Sequence, residues 1–524
     1  DVSKIKEWRG KLFAEVNQAD LAVWKPWLDY PVNILSGTGN SKVWLDFTHA
    51  KVEKIKTQSN LSNLSIALEN HASNAQTDIL IANKFSGVVS WTNLKNVQTI
   101  YAQDVKLKTN TGLNITNGNG YYATSTKDGK PWVKTDFLLD QLDLATIKQL
   151  SSYFKLSPNL TAQLNGFSLV GQLQSVKFGY ESLAGKALGY KINTAFKGLG
   201  LTAYENIPGF SNLTGNIRAN ENGGEILLNA QNAMLDFKDV LRWPIPADQL
   251  NGRINWQTAD NETDVKAKDI FITSPHITGT VNASYRIKGN DVKNSVLDLT
   301  GKFGKGNAKF APFYYPTILG KPTLQWLDTS VLAGSAEDVN LVVKGKLGDF
   351  PYVNHKNQLD NKLGLFRVNA KISDALLEYG EDWPVIEKLG LEMLFEGKRM
   401  ELNASKGYIF GNKIIKSKTE IAQLDADSPI LHIVSEVEGP VADGIKFVNE
   451  SPVKSVTQGF TDDLKATGQG KLTLELKIPL EDLEASKYIG AYKITDGTIF
   501  ANTGIGLPEL SKVNGNLNFT ENSL

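Results

Sequence analysis

Five histidines, His49, His71, His276, His355 and His432, are the side chains best suited to metal binding or proton transfer near neutral pH. They are scattered through the chain with no metal-ligand spacing. No Gly-x-Ser-x-Gly elbow exists, and the absence of cysteine removes disulfides, thiolate metal sites and thiol nucleophiles. Two glycine-rich runs, GTGNSK from Gly37 and GKFGKGN from Gly301, have the flavour of a phosphate loop, but neither fits a strand-to-helix Gly-x-Gly-x-x-Gly or P-loop pattern, and both are expected to be turns. Carboxylates are numerous, yet no feature nominates a pair for glycosidase chemistry. Basic and acidic residues balance at 56 each with no long run of one sign, so the electrostatic footprint of a nucleic-acid binder is absent. The expectation is a protein that is not an enzyme and needs neither cofactor nor metal.

What remains is an apolar pattern. In LNGRINW, the residues Leu250, Gly252, Ile254 and Trp256 alternate with Asn251, Arg253 and Asn255. Similar boxes recur as FSGVVSW from Phe85, LTGNIRA from Leu213, LGLEMLF from Leu389 and VNGNLNF from Val513. Period 2 runs through nearly the whole chain and marks half-buried strands whose alternate side chains share a face. Thus Ile277, Gly279, Val281, Ala283, Tyr285 and Ile287 fall together, as do Phe366, Val368, Ala370 and Ile372, and Leu472, Leu474, Leu476 and Ile478. NGNG from Asn117, KDGK from Lys127 and ENGG from Glu221 carry hairpin-turn chemistry. The fold class expected is all-β dominated, a long repetitive antiparallel sheet with a few short helices.

Helix-like segments are few. DLAVWKPWL from Asp20 and DLATIKQL from Asp143 each begin with a capping Asp and place apolar residues at helical spacing, Leu21, Trp24 and Leu28 in one and Leu144, Ile147 and Leu150 in the other. TLQWLDTSVL from Thr323 and VADGIKFV from Val441 are less regular candidates. Trp24, Trp27, Ile147, Leu150 and Trp326 are therefore expected on short helices docked at a sheet edge, which becomes the groove edge if the sheet curls. The distance from helix to box repeats: 65 residues from Asp20 to Phe85, 70 from Asp143 to Leu213, 65 from Leu324 to Leu389 and 70 from Asp443 to Val513. A shared layout implies stacked supersecondary units, at residues 1–142, 143–322 with an extra box near 250, 323–440 and a truncated 441–524. No Pro- or Ser-rich linker separates them, so one continuous domain of about 25 to 30 strands is the simpler reading. Such a sheet must pack on itself as a sandwich or curl into a gutter, and periodicity alone does not choose.

A resemblance does choose. SGTGNSKVWLDF from Ser36, LQWLDTSVLAGSAEDVNLVVKGKLGDFPY from Leu324, ALLEYGEDWPVIEKLGLEMLFEGKRMELNASKGYIFG from Ala375 and GLGLTAYENIPGFSNLTGNIRANENGGEILLNAQNAMLDF from Gly198 resemble, in order, the bacterial AsmA-like superfamily, and within it the YhdP-type, TamB-related proteins. That resemblance implies a repeating β-groove, curled and elongated, in a periplasmic protein anchored in the inner membrane of a Gram-negative bacterium. It implies a bridge-like conduit for phospholipid between inner and outer membrane, with envelope proteins as possible partners at either end. The chain starts at Asp1 and stops soon after Phe519 in a strand-like run, so an internal piece of a longer protein is expected, its anchor lying elsewhere. With the resemblance, the residues expected to line the groove are Ile254, Trp256, Val281, Ala283, Tyr285, Ile287, Phe366, Val368, Ala370, Ile372, Leu472, Leu474, Leu476 and Ile478. Two other readings stand beside the conduit: a periplasmic scaffold or assembly factor that pairs through exposed strand edges, and a β-sandwich adhesin or carbohydrate binder.

Overall fold

A computed structural model describes residues 7–20, 23, 33–49, 51–68, 78–94, 96–146, 168–204, 207–317, 319–501 and 509–521. Twenty-four strands, each 10 to 18 residues long, form one antiparallel sheet. The first eleven are β1 (Arg9–Asp20), β2 (Asn33–Thr48), β3 (Lys51–Leu68), β4 (Asp78–Leu94), β5 (Val97–Thr109), β6 (Asn114–Lys127), β7 (Lys130–Asp143), β8 (Leu169–Leu183), β9 (Lys186–Leu201), β10 (Gly209–Asn220) and β11 (Gly223–Asp236). After β12 (Ile245–Ala259) come β13 (Glu262–Thr273), β14 (Ile277–Lys288), β15 (Val296–Asn307), β16 (Val331–Lys346), β17 (Gly364–Leu377), β18 (Ile386–Glu396), β19 (Arg399–Ile409) and β20 (Asn412–Ile421). The last four are β21 (Ile430–Pro440), β22 (Leu464–Pro479), β23 (Lys487–Ala501) and β24 (Leu510–Thr520). Two units divide the chain, Asp1–Asp236 with Asn251–Asp260, and Phe237–Leu250 with Asn261–Leu524, so β12 contributes to both. In the first unit each strand from β1 to β11 pairs with the next, and in the second the same holds from β13 to β24. Among the described residues β1 pairs on one side only, with β2, and β24 on one side only, with β23.

A meander fixes where everything else can go. Odd-numbered strands all end at one edge of their unit and even-numbered strands at the other. Several even-strand ends carry tight hairpins, with Asp128 and Gly129 (φ 50° and 72°) after β6 and Ala184 and Gly185 (φ 51° and 74°) after β8, the left-handed pair of a type I′ turn. The α-helices appear at the odd ends, α1 (Lys321–Ser330) after β15 and α2 (Val441–Asn449) after β21, whereas 3₁₀ turns occur at both, Leu144–Thr146 after β7 and Ala308–Tyr314 after β15 on one side, Leu347–Asp349 after β16 and Leu483–Ala485 after β22 on the other. The helix expected from Thr323 begins slightly earlier and stops at Ser330, because Val331 already pairs with Leu377 in the sheet. Three expected turns are strand instead. Asn117 to Gly120 lies inside β6, Gly37 to Lys42 inside β2 and Gly301 to Asn307 inside β15, where ladder pairing overrides the local turn preference of Gly and Asn.

Register along these long strands is interrupted by a recurrent bulge. Gln18, Asp104, Asp269 and Asp496 each adopt left-handed backbone with φ of 50° to 57°, and each sits where its ladder slips. At all four, the freed N–H donates to an asparagine Oδ1 on the following strand: Asn40 at 3.1 Å, Asn119 at 3.1 Å, Asn282 at 2.9 Å and Asn514 at 3.1 Å. Asp and Asn tolerate this conformation better than most residues, and the clamp satisfies a donor that the bulge takes out of the ladder. Bulges bend the strand and increase its twist, the usual device for curving a sheet.

Little of the sheet is buried in a core. Clusters such as Leu61, Leu64 and Ala82, or Ala375, Leu389 and Ile414, are small.

The bulge clamp can be tested locally. Asn282→Ala should cost about 1 kcal/mol at this site, seen as a roughly fivefold loss of hydrogen-exchange protection at the Asp269 amide with amides at the centres of β16 and β17 unchanged. Unaltered protection at Asp269 would show that the clamp contributes nothing.

Candidate functional site

Residues directly opposite one another in a ladder point to the same face, so the registers trace rows across each unit. In the second unit one row runs through Ile270, Val281, Gly301, Leu341, Val368, Phe395, Met400, Ile421, Leu431 and Ile478, ten strands without a charge. Beside it run Ala370, Met393, Leu402, Thr419, Ile433, Leu476 and Tyr488, and then Ile372, Leu391, Ala404, Ser417, Ser435, Leu474, Gly490 and Phe519. A shorter row passes through Ile414, Val437, Leu472, Tyr492 and Leu517. In the first unit Ala14, Val43, Thr57, Val89, Ala102, Gly120, Phe137, Phe178, Ile192, Ala219 and Gly224 span eleven strands, again uncharged.

Polar groups that fall in these rows are mostly partnered within the sheet. The Ser417 and Ser435 hydroxyls bond each other at 2.5 Å, and Thr57 donates to the Val89 carbonyl at 3.4 Å. Glycines in the rows are levelled by aromatic rings. A methyl group added at Gly224 would meet the Trp256 indole at 2.5 Å, one at Gly301 would meet the Phe303 ring at 2.7 Å, and one at Gly490 would collide with Phe519. The ring occupies the space the missing side chain leaves.

The other face of the same strands is charged. Arg367 pairs with Glu396, Lys344 with Asp298 at 3.1 Å, Lys371 with Asp338 at 3.0 Å and Lys471 with Glu436 at 2.5 Å. Lys418 bridges Glu401 and Glu420, and His432 lies between Glu420 and Glu475. The Lys471 ammonium holds the Glu436 carboxyl below its ordinary value, and Lys418 followed by His432 does the same for Glu420. Glu401 is lowered first by the Asn403 side-chain amide. Among the described residues no group of histidines and carboxylates could hold a metal ion.

The structure places the expected lining residues on one face per unit. Val281, Ala283, Tyr285 and Ile287 share the face of Phe366, Val368, Ala370 and Ile372 and that of Leu472, Leu474, Leu476 and Ile478, joined by the rows above. Ile254 and Trp256 share a face of β12, with Trp256 against Gly224 of the first unit. All fourteen are half-buried except Ala370, which is buried. Sequence reasoning passed over Phe395, Met400, Ile421, Leu431 and Ile433 and the whole row of the first unit, although the same alternation marks them. Trp326 stands on α1, 41 % exposed, with its indole N–H donating to the Tyr379 carbonyl at 3.2 Å. Trp24, Trp27, Ile147 and Leu150 lie outside the described residues.

Connections at the odd edge of the second unit fold onto this face. A methyl group added at Gly444 of α2 would lie 2.8 Å from the Tyr492 hydroxyl, which is buried without a hydrogen-bond partner. Ala308 of the 3₁₀ turn packs on Gly334 beside Ala375.

These features define a class, an open antiparallel sheet protein with one charge-free face and one ion-paired face. The chain matches the family described as YhdP protein over residues 1–524, and it belongs to that family. It is 21% identical over 275 residues to the intermembrane phospholipid transporter YhdP of Escherichia coli (strain K12), a match covering 52% of this chain and 21% of that protein. The aligned stretch is thus about a fifth of that relative's length. No solved structure matches. No helix among the described residues is long and apolar enough to cross a membrane.

Carboxylates whose folded values are depressed contribute stability that is present above their unfolded values, near 4.5, and is lost as pH falls through the folded ones. The melting temperature should therefore hold between pH 7 and 5 and drop below about pH 4.5. Lys471→Met removes the main cause at Glu436 and should make that drop shallower; an identical acid profile in the variant would remove the outer-face pairs from the account.

Proposed function

We propose that this chain is a section of a conduit that carries phospholipid between the inner and outer membranes, with acyl chains against the charge-free face and headgroups in water. The uncharged rows carry this reading: ten and eleven consecutive strands keep lysine, arginine, aspartate and glutamate off one face while the opposite face is dense with them. Half-burial fits as well, since a lining must be reachable by its cargo. The function that names the relative, intermembrane phospholipid transport, supports the same substrate class and an envelope location in the periplasm of a Gram-negative bacterium.

The energetics suit a lining with no deep site. Exposing an acyl chain to water costs about 0.8 kcal/mol per methylene, so one chain of roughly 14 carbons costs on the order of 10 kcal/mol. A continuous apolar face removes that cost at every step, whereas one charged residue in the path would reimpose a barrier and one tight pocket would trap cargo. Nothing in this mechanism requires catalysis within the chain, and a direction of flow would come from the ends. A scaffold that works through strand edges needs no such exclusion of charge, which is why the conduit is favoured.

Val281→Asp combined with Leu474→Asp should abolish phospholipid transfer between donor and acceptor vesicles, and should remove co-purifying lipid from native mass spectra. Lys302→Asp changes net charge equally but alters the outer face, and should transfer lipid at the wild-type rate. Circular dichroism checks that both fold. Full transfer by the double variant would refute the conduit.

A further inference from the structure

An amphipathic cargo on a charge-free face must have its polar junction where that face ends. In the second unit the face ends at two edges, and they differ. All three tryptophans of the unit, Trp243, Trp326 and Trp383, lie in connections that follow odd-numbered strands, β11, β15 and β17. The connections after even-numbered strands, residues 289–295, 347–363, 397–398, 422–429 and 480–486, hold no tryptophan, while charged residues are frequent at both edges.

The tryptophans at the odd edge belong to a linked belt. Trp383 contacts the Tyr379 ring at 5.8 Å and the Phe447 ring of α2 at 5.9 Å, while the Tyr379 carbonyl accepts from the Trp326 indole. Asp328 of α1 ion-pairs with Arg242, whose guanidinium lies 4.3 Å from the Trp243 ring centroid. The belt adjoins the apolar rows directly. Tyr379 follows Leu377, Trp383 precedes Ile386, and α2 rests through Gly444 on Tyr492. Trp243 and Trp326 nonetheless remain 42 % and 41 % exposed, so each indole has one side against protein and one side in water. Indole and phenol rings favour that environment, apolar at one end and wet at the other, and they collect at the ester and headgroup level of bilayers for the same reason.

We propose that this aromatic edge holds the glycerol and ester level of a diacyl glycerophospholipid whose acyl chains lie on the charge-free face. The assignment rests on the conduit reading and adds to it an orientation: the polar junction of each lipid faces the helix-bearing edge, with Trp326 and Trp383 as positioning residues. The even edge has no tryptophan: its Tyr352 is fully buried, and its exposed ring, Phe350, stacks edge-on against Phe366 and has no polar group to meet water.

Photocrosslinking tests it. p-Benzoylphenylalanine is placed singly at Trp326, Trp383, Ile433 on the apolar face and Lys356 at the even edge of the full-length protein, which is irradiated with vesicles of phosphatidylethanolamine and phosphatidylglycerol. Fragmentation of the adducts by mass spectrometry reports which part of the lipid each position touches. The expected result is glycerol or headgroup adducts at 326 and 383, acyl-chain adducts at 433, and at least tenfold fewer adducts at 356. Headgroup adducts concentrated at 356, acyl-only adducts at 326 and 383, or none there while 433 reacts would overturn the orientation and leave the conduit standing. Absence of adducts at 433 as well would overturn the conduit reading and this assignment with it.

Discussion

The structure depends on register. Side chains alternate with period 2, so a slip of one residue in any ladder would bring a strand's lysines and glutamates onto the apolar face. Val368 opposite Phe395, Met400 opposite Ile421 and Leu431 opposite Ile478 are correct only because each neighbouring ladder is. Burial enforces this weakly in a sheet whose face is only half covered. Cross-strand contacts on one face and ion pairs on the other therefore hold the register together, since a slip that separates Arg367 from Glu396 also removes Val368 from Phe395.

Bulges complicate that constraint and show how it is met. A bulge shifts the phase of the strand, so the apolar pattern has to shift with it. In β13 the face passes from Val265 and Ala267 to Ile270 and Ile272, with Asp269 in left-handed backbone at the break. In β5 it passes from Ile100 and Ala102 to Val105 and Leu107 around Asp104, and in β17 from Ala370 and Ile372 to Ala375 and Leu377 around Asp374. The bend that curves the strand and the jump in the apolar pattern are encoded together, with an Asn clamp on the next strand at Asp104 and Asp269.

A surface of this kind differs from a core in its energetics. A core residue gains its stabilisation from neighbours of the same chain, whereas Val281, Leu341 or Leu476 leaves part of its apolar area in water. At about 25 cal/mol per Å² the uncovered area is free energy still available to any apolar group that covers it. The fold tolerates it because strand length and backbone ladders supply cohesion, and because the outer face is rich in paired charge.

Much of this was legible in the residues themselves. Alternation in ITGTVNASYRI, FRVNAKI and KLTLELKI fixed strand identity and which side chains share a face, since that follows from backbone geometry alone. The KDGK turn and the helix from Val441 were readable for the same local reasons. Other features depended on partners distant in sequence. The runs from Asn117 and Gly301 read as turns but pair as strands, because their neighbours supply the ladder. The odd-edge placement of α1 and α2 and the gathering of Trp243, Trp326 and Trp383 follow from strand parity, which no single segment contains. Alternation along the sequence determined that one side of each ribbon is apolar; only the assembled registers decided that those sides join into charge-free rows, because hydrogen-bonded pairing between strands, not any local preference, sets which residues become neighbours.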